Sequence, residues 1–441
     1  MGTQHRRADD GAEATHTDDA ENSGHTGDGK RVGRRLLLAA GTGTVAAALT
    51  GAAAMAAPAR RDRPATTAAA DAGGGQQAHP APAAGPHKAA SAARRPVYLG
   101  TYTTSATQGV GLASYDPQSG TLTSTGTLKG VANPSFLALS GDGTHLYAVN
   151  EQSKGSVTAV AIDAQGRLKV LGSAQSTGGA GPCHLSVHPG GRHVLSANYD
   201  SGSVAVHPIA SDGSLRARSD LVKHSGSGPD PDRQEGPHAH MVLSDPQGGY
   251  VLAVDLGTDT VYTYRLDTAT GKLAAVSQAR VTPGAGPRHL AFHPSGRFAY
   301  LANELGDSVI VCGYDPATGR LTPGAPQPTV PAGPPPSERN YPAEVLVSPD
   351  GAFVYVSNRG HNSVARFAVG GAGASLTLLD TVPTGGAYPR HISLDPSGTL
   401  LFAANQNSGT VTTFRRDPAS GALTATGASF KAPTPVCVLP R

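Results

Sequence analysis

Imidazole, guanidinium and carboxyl side chains recur at one place in a repeated phrase. In its fullest form the phrase reads GPRHLAFHPSGR, from Gly286 to Arg297. Similar phrases begin near residues 181, 236, 341 and 388, and weaker ones near 133 and 434. Histidine, arginine and glutamate are the side chains that transfer protons and stabilise oxyanions. The positions just after the repeat proline are therefore candidates for catalysis.

The candidate residues form two sets. The first set follows the repeat proline and comprises His184, His238, His240, Arg288, Glu344 and Arg390. The second set follows the next apolar run and comprises Asp255, Glu304, Arg359 and Asn405. His240 stands three places after its proline, in a column that is otherwise apolar, so it needs a local polar partner. His289 and His391 recur in register, and such histidines can equally hold neighbouring backbone.

The spacing of the phrase predicts the elements that position these residues. Its prolines stand at 134, 182, 237, 287, 342, 389 and 435, so the period is close to fifty residues. Between two prolines we read four short strands, with a Pro-x-Gly turn after the first and an Asp-to-Gly turn after the third. Four antiparallel strands per repeat are typical of a β-propeller blade.

The two ends of the repeat array predict how the ring closes. The run from Val97 to Tyr102 matches a second strand, and the run from Val436 to Leu439 matches a first strand with nothing after it. Six complete repeats and one shared repeat give an all-β, seven-bladed propeller. Closure of this kind leaves no free strand edge.

In such a ring, the starts of first strands and the ends of second strands meet at one opening of the channel. Both sets of candidates should therefore converge there. The longest connections, residues 225–235 and 331–340, should overhang the same opening, since long loops on a rigid scaffold commonly carry binding residues.

Composition excludes several classes of function. From Pro96 onward the chain has 23 Lys and Arg against 23 Asp and Glu. This neutral balance gives no basis for binding nucleic acid or a membrane surface. Three cysteines, without a CxxC pair, predict neither a disulfide framework nor a zinc site. We expect a monomer that needs no cofactor or metal.

The first ninety-five residues differ from the rest. Residues 1–57 combine a polar start, Arg34-Arg35, an apolar stretch and the cleavage-like Ala54-Met55-Ala56. This pattern predicts a twin-arginine signal and an exported protein, in the periplasm, cell wall or medium. An uncleaved membrane anchor is the alternative. Residues 58–95 are rich in Ala and Pro and read as a linker, which leaves 96–441 as the propeller.

Several motifs together resemble the lactonase family of seven-bladed propellers. They are Pro237-His238-Ala239-His240, Gly286-Pro287-Arg288-His289, Ala343-Glu344-Val345, Ser357-Asn358-Arg359-Gly360 and Pro389-Arg390-His391. The family includes propeller-type 6-phosphogluconolactonases and fungal carboxy-cis,cis-muconate cyclases. The resemblance implies lactone chemistry at the channel opening without a required metal, and it marks His184, His238, Arg288, Glu344 and Arg390 as site residues.

Lactone hydrolysis needs a base for water, a group that stabilises the oxyanion, and an acid for the leaving alkoxide. We expect Glu344 or His238 to activate water and Arg288 and Arg390 to hold the oxyanion or a substrate anion. A G-x-S-x-G motif is absent, which argues against an acyl-serine. The alternatives are a non-catalytic binding propeller of the cell envelope, a muconate-type cycloisomerase, and a metal-dependent or redox propeller.

Overall fold

A computed structural model describes residues 93–105, 108–332 and 338–441. The predicted export signal at 1–57 and nearly all of the predicted linker lie outside these ranges. Within them the chain forms seven four-stranded antiparallel sheets, which confirms the seven-bladed propeller. In the same ranges no helix has the length and apolar character that a membrane span requires.

The first blade is built from both ends of the domain. From the axis outward it contains β28 (Pro435–Pro440), β1 (Arg95–Thr101), β2 (Gly109–Tyr115) and β3 (Leu122–Lys129). Tyr98 pairs with Leu439 and Val97 with Pro440. The prediction that the C-terminal strand completes the N-terminal blade is therefore confirmed.

The other six blades follow in chain order. Blade two has β4 (Leu137–Leu139), β5 (His145–Asn150), β6 (Ser156–Ile162) and β7 (Leu168–Ser176). Blade three has β8 (Pro182–Val187), β9 (His193–Asn198), β10 (Ser203–Pro208) and β11 (Asp220–Lys223). Blade four has β12 (Ala239–Ser244), β13 (Val251–Asp255), β14 (Thr260–Asp267) and β15 (Lys272–Arg280).

The last three blades are equally regular. Blade five has β16 (Pro287–Phe292), β17 (Phe298–Asn303), β18 (Ser308–Asp315) and β19 (Arg320–Pro328). Blade six has β20 (Tyr341–Val347), β21 (Phe353–Arg359), β22 (Ser363–Gly370) and β23 (Ser375–Pro383), with a short 3-10 turn at Gly371–Gly373. Blade seven has β24 (Pro389–Leu394), β25 (Leu400–Asn405), β26 (Thr410–Arg416) and β27 (Leu423–Lys431).

The apolar core lies between the faces of neighbouring blades. Phe402 of blade seven, for example, is fully buried and meets Tyr115 of blade one edge-on, with ring centroids 5.2 Å apart. Replacing such a ring by alanine costs about 3–5 kcal/mol. Blade packing of this kind fixes the positions of the innermost strands, and these strands carry the candidate residues.

The predicted turns occupy their expected places. Asp417 to Gly421 joins the third and fourth strands of blade seven. Gly421 has a φ of +69°, and a Cβ there would lie 2.4 Å from the Phe353 ring of blade six. Glycine is required by both the backbone and the contact between blades.

Candidate functional site

A β-bulge begins the innermost strand of several blades. In blades three, five and seven the pairing with the second strand skips one residue, between Pro182 and His184, Pro287 and His289, and Pro389 and His391. The skipped residues are Cys183, Arg288 and Arg390. A bulge re-aims one side chain away from the regular alternation of the strand. This explains how both arginines come to the same place on different blades.

In blade four the structure corrects the alignment of the repeats that was based on spacing from the proline. Ala239 pairs with Asp255 and Met241 pairs with Val254, so the skipped residue is His240. His240 therefore occupies the position of Arg288 and Arg390, and Met241 the position of His289. The reason is that Pro237 lies two residues before its strand, whereas Pro287 begins its strand. His240 does not sit in the apolar column to which its spacing from the proline assigned it.

The residue after each bulge serves as an acceptor for the next blade. Val242 N–H lies 3.4 Å from His184 Nδ1, Leu290 N–H lies 3.0 Å from Met241 Sδ, and Val438 N–H lies 3.4 Å from His391 Nδ1. A buried backbone N–H needs such a partner. The hydrogen bond therefore gives His184 and His391 a structural role, whether or not they also contact substrate.

His289 breaks this pattern because it pairs with Glu344. Its Nδ1 lies 2.9 Å from Glu344 Oε2, and His391 Nε2 lies 3.5 Å from the same oxygen. Burial raises the pKa of the Glu344 carboxyl, while burial together with the charges of Arg288 and Arg390 lowers the pKa of His289. His289 Nε2, on the other edge of the ring, is buried without a partner among the described residues.

Glu304 forms ion pairs with three arginines from separate parts of the chain. Its Oε2 lies 3.1 Å from Arg288 Nε and 2.7 Å from Arg359 Nη2. Its Oε1 lies 2.6 Å from Nη2 of Arg233, a residue of the long 225–235 connection. Burial opposes ionisation of Glu304, but the charges of Arg359, Arg288 and Arg233 outweigh it and hold the pKa of the carboxyl well below its usual range. Glu304 is therefore ionised and unsuited to accept a proton.

Two of the arginines keep donors for a ligand. Arg288 donates through Nη1 to the carbonyl of Ala343 at 2.9 Å, and Nη2 has no acceptor among the described residues. Burial, with the charges of Arg359 and Arg390, lowers the pKa of Arg288 to about 9, so it remains charged at neutral pH. In the described part of the chain Arg390 has no hydrogen bond or ion pair. Its Cζ lies 5.9 Å from the centroid of the Tyr102 ring.

His238 lies at the outer edge of this group. It stacks on Tyr199, with centroids 4.5 Å apart, and Nδ1 lies 3.0 Å from the Tyr199 carbonyl. A ring nitrogen can contact a carbonyl oxygen only as a donor, which leaves Nε2 as the acceptor of the neutral ring. Nε2 lies 3.2 Å from Glu235 Oε1, which is also an acceptor, so this contact is a hydrogen bond only when the ring carries both protons. Nε2 can act as an acceptor only when the Glu235 side chain, which is 60% exposed, moves away from it.

Two predicted substrate-binding residues do not join the group. Asp255 is fully buried, accepts from the backbone N–H of His238 at 2.9 Å, and lies 2.6 Å from His224 Nδ1. Asn405 is fully buried and donates to Thr412 Oγ1 at 3.0 Å. Both side chains hold backbone or strands together, so we leave them out of the proposed contacts with substrate.

The structure adds three residues that the sequence argument did not select: Arg233, Tyr102 and Glu151. Tyr102 OH donates to Glu151 Oε1 at 2.9 Å. Glu151 follows Asn150 as Glu304 follows Asn303, so a comparison of second-strand ends that included blade two would have found it. Nothing in its local sequence distinguishes Arg233. Among the described residues, no three His, Cys, Asp or Glu side chains are arranged to hold a metal ion.

Comparisons with known proteins bear on the family and the activity of the chain. Residues 96–440 match the family model described as "Lactonase, 7-bladed beta-propeller". A 6-phosphogluconolactonase of Bacillus subtilis is 36% identical over 343 residues, which cover 77% of this chain and 97% of the relative. One from Pectobacterium carotovorum is 37% identical over 242 residues, covering 54% and 68%. The solved Pseudomonas aeruginosa periplasmic gluconolactonase superposes with a TM-score of 0.73 at 32% identity, covering 79% and 99%.

Proposed function

Because the chain belongs to the lactonase family of seven-bladed β-propellers and is a lactone-hydrolysing enzyme, we propose that it opens a sugar-acid lactone at the end of the channel where Arg288, Glu344 and Arg390 meet. The observation that carries this proposal is a group of four arginines at the opening, three of which share one ionised carboxylate. Arg233, Arg288 and Arg359 share Glu304, while Arg390 is unpaired in the described part of the chain. The excess positive charge suits a substrate that carries or develops negative charge.

The first step is the attack of water on the lactone carbonyl. His238 is the proposed base, since its Nδ1–H is fixed on the Tyr199 carbonyl and its Nε2 can take a proton from water once the exposed Glu235 side chain has moved away from it. As the hydroxide oxygen bonds to the carbonyl carbon, the carbonyl oxygen becomes an oxyanion. The free Nη2 of Arg288 is placed to stabilise it, and a preorganised donor of this kind contributes about 3–4 kcal/mol.

The second step is the collapse of the tetrahedral intermediate. The bond between the carbonyl carbon and the ring oxygen breaks, and the ring oxygen leaves as an alkoxide that needs a proton. We assign this proton to His289 Nε2, with Glu344 passing its own proton to His289 Nδ1 across 2.9 Å. The pKa directions support this relay, because burial raises the pKa of Glu344, which favours its protonated form, and lowers that of His289, which favours the neutral ring. In this proposal Glu344 is the proton donor, and of the two groups predicted to activate water we assign that role to His238.

The substrate we propose is a sugar-acid lactone with an anionic group, such as a phosphorylated gluconolactone. Guanidinium groups bind phosphate and carboxylate through paired hydrogen bonds, and Arg390 has its donors free. The names of the relatives support this choice. The predicted twin-arginine signal places the reaction outside the cytoplasm, and the periplasmic location stated for the Pseudomonas aeruginosa gluconolactonase is compatible with that.

A titration of released acid tests the proposal. Purified full-length protein is incubated with phosphorylated, sugar and aromatic-derived lactones, and base uptake is recorded at constant pH. We expect base uptake with the sugar-acid lactones and its loss in Glu344→Gln. Uptake only in the presence of added metal would favour the metal-dependent alternative, and formation of lactone from an open muconate-type acid would favour the cycloisomerase.

A further inference from the structure

One sector of the opening holds polar atoms that have no partner. It is formed by blades seven, one and two, and we call it the 7-1-2 sector, defined by Arg390, Gln406, Tyr102, Glu151 and Ser135. Among the described residues, Glu151 Oε2, Gln406 Oε1 and Ser135 Oγ are buried without a hydrogen bond. Arg390 likewise has no acceptor there. Buried polar atoms are normally paired, so each of these three atoms needs a partner that the described residues do not supply.

Glu304, the residue of blade five that corresponds to Glu151, has partners on both carboxylate oxygens. Glu304 and Glu151 occupy the same position in blades five and two, because each follows an Asn at the end of a second strand. Their backbone N–H groups also make equivalent bonds, Glu304 to Gly286 at 2.8 Å and Glu151 to Asn133 at 3.0 Å. Glu304 has three arginines on its two oxygens, whereas Glu151 has one tyrosine on Oε1 and nothing on Oε2. Fold position alone therefore does not account for the unpaired oxygen.

Tyr102 contacts both charged groups of the sector. Its hydroxyl donates to Glu151 Oε1 at 2.9 Å, and the Arg390 guanidinium lies 5.9 Å from its ring centroid. Among the described residues Arg390 forms no ion pair, but Glu151 is near enough to act on it: burial opposes the charge of Arg390, and neighbouring groups that include Glu151 nevertheless raise its pKa. The sector offers a cationic donor and a carboxyl acceptor beside one tyrosine, and the amide oxygen of Gln406, which follows Asn405 as Glu151 follows Asn150, is a second acceptor.

We propose that the 7-1-2 sector is a hydroxyl-recognition subsite for the substrate of the lactonase reaction. Arg390 binds an oxyanion of the ligand, and Glu151 Oε2 and Gln406 Oε1 accept hydrogen bonds from hydroxyl groups on the adjacent carbons. The ligand class is a polyhydroxylated carboxylic acid or its lactone. The proposal rests on the proposed function for its place in the reaction, but the binding it describes does not depend on turnover.

The preference for hydroxylated ligands follows from the free-energy cost of leaving these buried acceptors without a hydrogen bond. A site built to bind a hydroxyl rejects an analogue without it because its own buried polar atoms stay unpaired. One hydrogen bond to a charged group corresponds to about a ten- to hundredfold change in affinity. Replacing Glu151 by leucine, which fills similar space without an acceptor, should remove that part of the affinity for hydroxylated ligands only.

Titration calorimetry with two probes tests the subsite. D-gluconate carries a carboxylate and a hydroxylated chain, and hexanoate carries the carboxylate on a chain of the same length without hydroxyls. The full-length protein, Glu151→Leu, Gln406→Leu and the exposed outer-strand control Gln278→Leu are compared, with a thermal unfolding curve for each. We expect both sector variants to bind gluconate at least about tenfold more weakly, to bind hexanoate no more weakly than the wild type does, and to unfold near the temperature of the control.

The results separate this proposal from the proposed reaction. Equal weakening of gluconate and hexanoate, or no weakening of either, would overturn the subsite, as would a wild-type protein that binds gluconate no better than hexanoate. Glu151-dependent binding of gluconate by a protein that releases no acid from any lactone would support the subsite and reject hydrolysis. If Glu151→Leu lowers the unfolding temperature, Gln406→Leu gives the same test from a neighbouring blade.

Discussion

Glu304→Gln should destabilise the protein strongly, although the substitution changes very little volume. The carboxylate lies within 3.1 Å of Arg288 and 2.7 Å of Arg359, whose side chains are each 3% exposed. Arg233 approaches the other oxygen to 2.6 Å. Removing one member of a buried ion pair costs about 3–5 kcal/mol, since the charge left behind is uncompensated. We expect a loss of this size in the free energy of unfolding.

Urea denaturation measures this loss without adding salt, and added anions identify its cause. Phosphate or sulfate can occupy the place of the missing carboxylate between the arginines. An anion present at one hundred times its dissociation constant stabilises the folded state by about 2.7 kcal/mol. Phosphate should therefore recover much of the stability lost in Glu304→Gln, while sodium chloride at equal ionic strength should recover little.

The control is the same chemical change at an exposed ion pair. Asp163 lies 2.6 Å from Arg167, with side-chain exposures of 37% and 78%. Solvent screens such a pair, so Asp163→Asn should leave the urea midpoint nearly unchanged and insensitive to phosphate. The electrostatic reasoning is refuted if Glu304→Gln loses no more stability than Asp163→Asn, or if chloride restores it as well as phosphate does.

Three further substitutions test the assigned roles. Glu344→Gln should lower kcat by at least about a hundredfold. Because burial raises the pKa of Glu344, the kcat of the wild-type protein should fall as rising pH removes the proton of this acid. The pH profile of kcat for the variant should lack that fall. His238→Gln should lower kcat/KM by about 10²–10⁴-fold in steady-state kinetics. Arg390→Met should raise KM about ten- to hundredfold for an anionic lactone and leave KM for a neutral one unchanged, as initial rates at both substrates would show.

The fold could be predicted from the sequence because its signals are local and repeated. Each blade has its own proline, its Pro-x-Gly turn and its Asp-to-Gly turn, and seven weak copies reinforce one another. The unequal ends, Val97 to Tyr102 and Val436 to Leu439, were sufficient to predict how the ring closes. Pairing of Tyr98 with Leu439 confirms it.

Register was harder to predict than topology. The proline of blade four precedes its strand by two residues, so spacing from the proline misassigned His240 and hid the equivalence of Met241 and His289. A two-residue shift changes which side chain occupies the bulge, and only the pairing of Ala239 with Asp255 reveals it. The acceptor role of His184 toward Val242 was likewise invisible, because it depends on the neighbouring blade.

Partnerships between distant residues also could not be predicted. Arg233 reaches Glu304 across 71 positions in the chain, and its loop has no repeat against which to compare it. Asn405 shares its pattern with the other second-strand ends, yet its amide is used within its own blade. Residue type and spacing identified which side chains could act, while burial and hydrogen bonding decided which remain available.

The most direct test of the central claim is base uptake at constant pH by the full-length protein with a phosphorylated gluconolactone, compared with Arg288→Ala. The wild-type protein should open the lactone well above the spontaneous rate, and the variant should lose at least about a hundredfold in kcat/KM, as expected for the loss of one oxyanion donor. A folded wild-type protein that leaves every sugar-acid lactone at its spontaneous rate, or an Arg288→Ala variant that hydrolyses as fast as the wild type, would contradict the account.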